Sequence, residues 1–251
     1  FDIGYEYNSA DQVQAITYPT GERVEQTYTA SGALSSTVGS GWSATSMTYD
    51  PAGRLKTMAY QNGLVLTQDY FGWSNFGGRL QAIDVRASGA GSPLYRLQYT
   101  YFLNGNIQSI TEYGVNNNNQ VQSYLYDSLN RLTNAAVSGG TRGSYGPQTY
   151  TYTQSGNLYS RTGVGTYSNG APVSGCTVGT DPTKPHAAAS AGSMSFTYDC
   201  NGNMLTRNEG SGAYIQTWNS ENQLLRVTAP DGRWTQYTYD GDGNRVRAER
   251  S

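Results

Sequence analysis

The chain has 251 residues, 16 Lys and Arg against 18 Asp and Glu, a formal net charge of −2, one histidine and two cysteines. With no run of basic residues, that balance excludes the positive stripe that nucleic acid demands, and no apolar run is long enough for a membrane helix. Apolar residues make up 36% while glycine numbers 31 and tyrosine 22, a composition suited to many turns and half-buried aromatic surface rather than one deep core.

From the N-terminus, Tyr7, Tyr28, Tyr49 and Tyr70 follow one another every 21 residues. A fixed period of this length marks an array of small units, each stacking on its neighbours to bury an apolar face. The spacing slips through Tyr101, Tyr126 and Tyr152, jumps 46 residues to Tyr198, and returns to steps of 20 and 21 at Trp218 and Tyr239. Before each anchor the pattern has period two, as in Tyr5 and Tyr7, Met47 and Tyr49, Tyr99 and Tyr101, or Tyr237 and Tyr239. It predicts a strand with aromatics on one face. Thr27, Thr48, Thr100, Thr151, Thr197, Thr217 and Thr238 fall on the other.

After each anchor comes a turn. Asp50, Asp127, Asp199 and Asp240, with Asn8 and Asn219, stand one residue past their anchors, where a side-chain oxygen can accept a backbone N–H two residues on. These residues read as turn pins, not catalysts. Three residues further on are Gly53, Gly202 and Gly243, with Asn130 and Asn222 in equivalent places. They are residue types that tolerate a left-handed backbone, and Asp11 is the outlier. An aliphatic residue closes the motif six positions after the anchor. Hairpin text at Pro19-Thr20-Gly21, Asn62-Gly63 and Asp231-Gly232 then returns the chain, so one repeat is a two-stranded hairpin.

Two stretches break the pattern. From Tyr70 to Leu80 the turn is four residues longer and rich in aromatics, and over 161–194 the anchors vanish into Gly, Ser, Pro and Ala. The second stretch reads as a degenerate repeat or a long loop, with Gly165 to Gly170 suggesting a further hairpin. The run Asn116-Asn117-Asn118-Asn119 reads as a loop tip.

Few residues offer chemistry. His186, the one histidine, sits beside Pro182 and Pro185 with no orienting carboxylate or nucleophile placed by the sequence, so it reads as a loop histidine. Asp240-x-Asp242-x-Asn244 begins like a calcium loop but has Arg245 where glycine belongs and Ser251 where the bidentate glutamate belongs. Cys176 and Cys200, 24 residues apart, are a candidate disulfide or two unpaired thiols. Of Trp42, Trp73, Trp218 and Trp234, the last two read as packing and Trp73 as the one exposed contact on a possible sugar platform. The expectation is no enzyme: no catalytic, cofactor or metal site.

The text Tyr49-Asp50-Pro51-Ala52-Gly53-Arg54-Leu55, repeated at Tyr126 and Tyr198 and in Tyr239-Asp240-Gly241-Asp242-Gly243-Asn244, resembles the YD repeat of the Rhs and YD-repeat proteins. Their relatives include the C components of insecticidal toxin complexes and the teneurins. Pro185-His186-Ala187-Ala188 is similar to a segment frequent in bacterial members. The resemblance implies an all-β array of hairpins wound into part of a hollow β-spiral, shell or tube, in which residues 1–251 form one segment and 161–194 an irregular part within it. It implies a structural wall that encloses a toxin domain or builds an extracellular tube, secreted or at the cell surface, with neighbouring YD repeats or stacked copies as partners. The alternatives are a surface adhesin or glycan-binding protein and, ranked below it, a hydrolase in 161–194. The chain lacks the family's Asp-Pro-x-Gly cap and variable toxin region, and reads as a segment of something longer. About ten two-stranded units at ~4.8 Å per strand make a ribbon of roughly 95 Å. Closed on itself, that ribbon would be too narrow for a 100-residue cargo. The expectation is therefore an arc of a wider wall, continuing past Phe1 and Ser251.

Overall fold

The computed structural model describes residues 2–114, 119–140, 143, 145–174, 176 and 183–251. The expectations for Phe1, for Asn116 to Asn118 and for Pro182 lie outside the described residues. The chain divides into two compact units, residues 1–146 and 147–251. The fold is all-β: no α-helix occurs among the described residues, and a three-residue 3-10 turn, Phe76–Gly78, sits in the long turn after Tyr70.

The first unit is a run of strands β1 (Gly4–Tyr7), β2 (Val13–Thr17), β3 (Arg23–Tyr28), β4 (Leu34–Gly39), β5 (Trp42–Tyr49), β6 (Leu55–Tyr60), β7 (Leu64–Tyr70), β8 (Leu80–Ala87), β9 (Tyr95–Tyr101), β10 (Ile107–Tyr113), β11 (Gln120–Tyr126) and β12 (Leu132–Gly139). Each pairs antiparallel with the next in sequence. The second unit has the same plan, with most of β13 (Tyr145–Tyr152, which begins two residues before the unit), β14 (Leu158–Arg161), β15 (Gly165–Ser174), β16 (Thr183–Ala191), β17 (Met194–Asp199), β18 (Met204–Asn208), β19 (Ala213–Trp218), β20 (Leu224–Thr228), β21 (Trp234–Tyr239) and β22 (Arg245–Arg250). Its successive strands are also antiparallel neighbours. The end of β15 additionally runs parallel to β17, with Val173 beside Tyr198 and Ser174 beside Asp199.

The hairpin at each anchor carries a register slip. Tyr49 faces Leu55 but Thr48 faces Thr57, so Lys56 has no opposite number. The same slip falls at Tyr7, Tyr28, Tyr70, Tyr126, Tyr152, Tyr198, Trp218 and Tyr239. Leu55 and Thr57 are two residues apart and would share a face in an unbroken strand; the bulge sends them to opposite faces. Leu55 thus joins the tyrosine face and Thr57 the threonine face. Strict alternation could not anticipate this.

Burial is spread thin. Anchors from Tyr28 onward are half-buried, with Tyr198 buried at 8% exposure, while the threonines before the anchors are exposed. The buried hydrophobic positions are mostly small, such as Ala15, Ala44, Ala82 and Ala171, and no large side chain among the described residues is fully buried. On the outer face, hydroxyls pair across the hairpin: Thr48 with Thr57 at 2.5 Å, Thr151 with Ser160 at 2.6 Å, Thr197 with Thr206 at 2.7 Å. Cohesion is the sum of such cross-strand pairs, each roughly 0.2–1 kcal/mol.

Candidate functional site

The recurring site is the line of turns, built first from one side chain. Where the residue after the anchor is Asp or Asn, its Oδ1 accepts two backbone N–H groups, from the residues two and four positions on. Asp50 takes Ala52 and Arg54, Asp127 takes Leu129 and Arg131, Asp199 takes Asn201 and Asn203, and Asp240 takes Asp242 and Asn244. Asn8 and Asn219 do the same with their amide oxygens. These bonds span 2.8 to 3.1 Å. The turn then closes through a left-handed residue, Gly53 at φ 76°, Gly202 at 92° and Gly243 at 82°; Asn130, Asn222 and the outlier Asp11 adopt the same conformation at 61°, 60° and 56°. The backbone pair Asp50 N–H to Arg54 O and Gly53 N–H to Asp50 O defines a three-residue loop of the turn-plus-αL kind.

The second oxygen shows why the fifth residue after the anchor matters. Oδ2 of Asp50 and of Asp127 each accepts Nε–H of Arg54 or Arg131 at 2.7 Å, and Oδ2 of Asp199 accepts Nδ2–H of Asn203 at 2.9 Å. Where the first residue is Asn, the fifth is Gln, and Asn8 and Asn219 donate to Gln12 and Gln223. Donor and acceptor exchange together. The Arg54 side chain beside Asp50 holds its carboxyl below the usual carboxylate value, and Arg131 does the same to Asp127. At Asp240 the backbone N–H of Asn244 is the leading cause.

The fifth residue also reaches the next turn. Gln12 donates to the Gly32 carbonyl at 3.1 Å, Arg54 donates to the Gly78 carbonyl, Asn106 to Asn130 Oδ1 at 2.9 Å, and Asn203 to Asn222 Oδ1 at 2.8 Å. Asn at the left-handed position therefore supplies a side-chain acceptor as well as a tolerated backbone. Arg54 also lies 4.0 Å over the Tyr70 ring and 5.1 Å from that of Trp73, tying the long turn to the turn before it.

Anchors bind in the opposite direction. Tyr28 Oη donates to Val13 O, Tyr49 to Leu34 O, Tyr70 to Leu55 O, Tyr101 to Leu80 O and Tyr239 to Leu224 O, at 2.7 to 3.0 Å. Trp218 does the same with its indole N–H to Met204 O at 2.8 Å. Each acceptor is the aliphatic residue that closes the preceding repeat. Burial pushes the hydroxyls of Tyr70, Tyr101, Tyr126 and Tyr198 up, which favours the protonated form.

Within 161–194 the same contacts are made by unrelated residue types. Asn169 Nδ2 donates to Leu158 O at 3.4 Å, where an anchor would, and Asn169 faces Ala188 across a double register slip. Tyr198 Oη donates to Ala188 O at 3.0 Å, so Ala188 acts as a closing residue. Asn157 donates to Pro185 O at 3.0 Å, and His186 Nδ1 lies 2.7 Å from Asn157 Oδ1. Asn169 thus makes a contact that an anchor makes elsewhere, and Pro185 and His186, in strand β16, meet the fifth-position residue Asn157. Gly165 to Gly170 lie in strand β15 itself.

The other candidates resolve individually. Cys176 and Cys200 are joined by a disulfide with Cα atoms 5.3 Å apart, fastening Cys176 to the turn after Tyr198. Asp240, Asp242 and Asn244 form the Asx turn above, and no group of three or more His, Cys, Asp or Glu side chains among the described residues is placed to hold a metal. Trp73 is 67% exposed but lies under Arg54; Trp42, at 47%, borders a pocket.

Antiparallel hairpins, six of them closed by an Asx turn among the described residues and several tied forward by the fifth residue or backward by the anchor, define a β-hairpin repeat array. Residues 218–250 match the RHS repeat family model. The tyrosine-and-turn motif of that stretch recurs in register along the rest of the chain. No curated protein matches the chain. Among solved structures, it is similar to TcdB2–TccC3 with Cdc42 (20% identity, TM-score 0.72, covering 97% of this chain and 13% of that one). It is similar to TcdB2–TccC3 alone (21%, TM-score 0.71, 97% and 13%). A third is the Photorhabdus luminescens Tc holotoxin pore (20%, TM-score 0.70, 98% and 13%). The likeness is one of fold, and the chain spans about an eighth of each of those chains.

Proposed function

We propose that this chain is a stretch of wall in a β-spiral shell, serving as structure rather than catalyst, in a protein that encloses a toxin domain or builds an extracellular tube. The observation that carries the reading is the two-way lock between repeats. Anchor hydroxyls bind backward and fifth-position side chains forward, so neighbouring hairpins are held by bonds at the turns in addition to the strand ladder. Such a ribbon suits a wall, which must stay closed along its length without a deep core. The similarity to Tc toxin assemblies supports it, and one of these was solved without a hypervariable C-terminal region.

The partners under this reading are neighbouring YD repeats, of the same polypeptide or of stacked copies, and an enclosed domain. The setting is secreted or at the cell surface. The Cys176–Cys200 disulfide supports an oxidising compartment. No helix among the described residues is long and apolar enough to cross a membrane.

Electron microscopy of the whole polypeptide that carries this chain tests the proposal. The expected result is a hollow body with residues 4–251 in its wall, together with protease resistance of any domain inside. A solid rod, or a neighbouring domain cut as fast as a free one, overturns it.

A further inference from the structure

Pocket-forming residues gather at the end of the β4–β5 and β6–β7 hairpins, away from the line of Asx turns. The β4–β5 turn is closed by Ser40 and Gly41, which places Trp42 directly opposite Gly39. The indole lies flat on that glycine: a Cβ on Gly39 would fall 2.4 Å from Trp42 Cε2. Trp42 Nε1 donates to Glu22 Oε1 at 3.1 Å, so the ring is clamped at its edge as well as along one face. It remains 47% exposed.

Beside it is a pocket of about 590 Å³, within the range of small-molecule sites. Met47 and Met58 face each other across β5 and β6 and line it with Tyr60. Its rim is polar in a particular way. Gln61 Oε1 accepts the hydroxyl of buried Ser43 at 3.3 Å, and the Gln61 backbone N–H donates to Ser43 O. Asn62 Oδ1 accepts Leu64 N–H at 3.1 Å. Both amide oxygens are thus used internally, and neither NH2 group has a partner among the described residues. The site offers a fixed aromatic plate, an apolar floor and a rim of hydrogen-bond donors.

We infer that this pocket binds a single pyranose ring of a glycan, stacked by its apolar face on Trp42, with its hydroxyl oxygens accepting from Gln61 and Asn62. A pyranose presents both requirements at once, a flat C–H face and a rim of acceptors. Gln61 and Asn62 are exposed at this rim, where the oxygens of a hydroxyl-bearing ring can take the place of their water. The inference stands apart from the shell reading, since it rests on the pocket's own residues alone.

The 251-residue chain, with its indole and methionine methyl resonances assigned, is titrated with methyl β-D-glucopyranoside, methyl β-D-galactopyranoside and N-acetylglucosamine, and with 4-methylphenol as the planar aromatic rival. At least one hexopyranoside should bind with a dissociation constant of about 1–10 mM, ordinary for a single small ring. It should shift the Trp42 indole N–H and the Met47 and Met58 methyls. Trp42→Ala should abolish the response, while Trp73→Ala keeps it. Asn62→Asp leaves the Leu64 acceptor in place and should weaken binding about 10-fold by removing a donor. Should Trp42→Ala fail to fold, Gly39→Ala is the substitute, because it pushes the indole off its seat. The inference is overturned if no hexopyranoside shifts these resonances, if binding survives displacement of Trp42, or if 4-methylphenol binds more tightly than every sugar.

Discussion

The hydroxyl of Tyr49 donates to the backbone carbonyl of Leu34 at 2.7 Å, joining the anchor of one repeat to the closing residue of the repeat before it. Tyr49 also faces Leu55 within its own hairpin, so one side chain packs its own unit and fastens the previous one.

Tyr49→Phe separates the two roles. The ring remains and the bond is lost, leaving the Leu34 carbonyl without its donor. We expect a loss of about 0.5–1.5 kcal/mol in urea unfolding. Tyr49→Ala should cost roughly 2 kcal/mol or more, since it also removes the apolar area. An equal effect for both substitutions would show that the hydroxyl contributes nothing.

Gly53→Val and Gly202→Val should each destabilise by about 1 kcal/mol or more, because a β-branched residue is poorly tolerated at positive φ. Gly53→Asn should be milder than Gly53→Ala, as Asn130 and Asn222 already occupy this conformation. At Gly53 a Cβ meets nothing within 4 Å, whereas at Gly105 it would fall 2.2 Å from Arg79 Nη2. Gly105→Ala should therefore cost more than Gly53→Ala, by displacing the Arg79 guanidinium, which lies 5.8 Å from the Tyr101 ring centre.

Acid should weaken the turns in a defined direction. The Asp50 and Asp127 carboxyls titrate below their ordinary value of 3.8 in the folded chain, so the unfolded chain binds these protons more readily. Their contribution is present above that value and is lost as pH falls through the lowered one. Melting temperature should drop below about pH 4, and the double variant Asp50→Asn, Asp127→Asn should show a shallower drop. Asn keeps the Asx acceptor, as Asn8 and Asn219 show. Parallel pH profiles for the two proteins would exclude these carboxylates as the cause.

Reduction of Cys176–Cys200 should lower the stability of residues 147–251 by about 3 kcal/mol in the chain-entropy account. Hydrogen exchange read separately over 1–146 and 147–251 checks this. Equal loss of protection in both parts would contradict a local staple.

The hairpin, the anchor and the turn were legible in the sequence because their determinants are local. Asp50 meets Ala52 and Arg54 within four residues, and only a few residue types adopt the backbone of Gly53, so both leave a mark at fixed spacing. The fifth-position residue was visible too, as the recurrence of Gln12, Arg54, Arg131, Asn203 and Gln223, but nothing local tells that it reaches the neighbouring turn. That contact joins residues such as Gln12 and Gly32, or Asn106 and Asn130, and appears only when strands are paired.

Composition and period therefore determined an all-β array, its unit and its family resemblance, because a repeated local conformation needs repeated residue types. Tertiary structure alone decided where the acceptors lie. Backbone carbonyls such as Leu34 O and Ala188 O are present at every residue and carry no sequence mark, so an asparagine could replace a tyrosine anchor at 169 without notice. The one-residue slip at each anchor was equally hidden. It sends Leu55 and Thr57 to opposite faces through a bulge that depends on the partner strand, and the Trp42 pocket likewise exists only where two hairpin ends lie side by side.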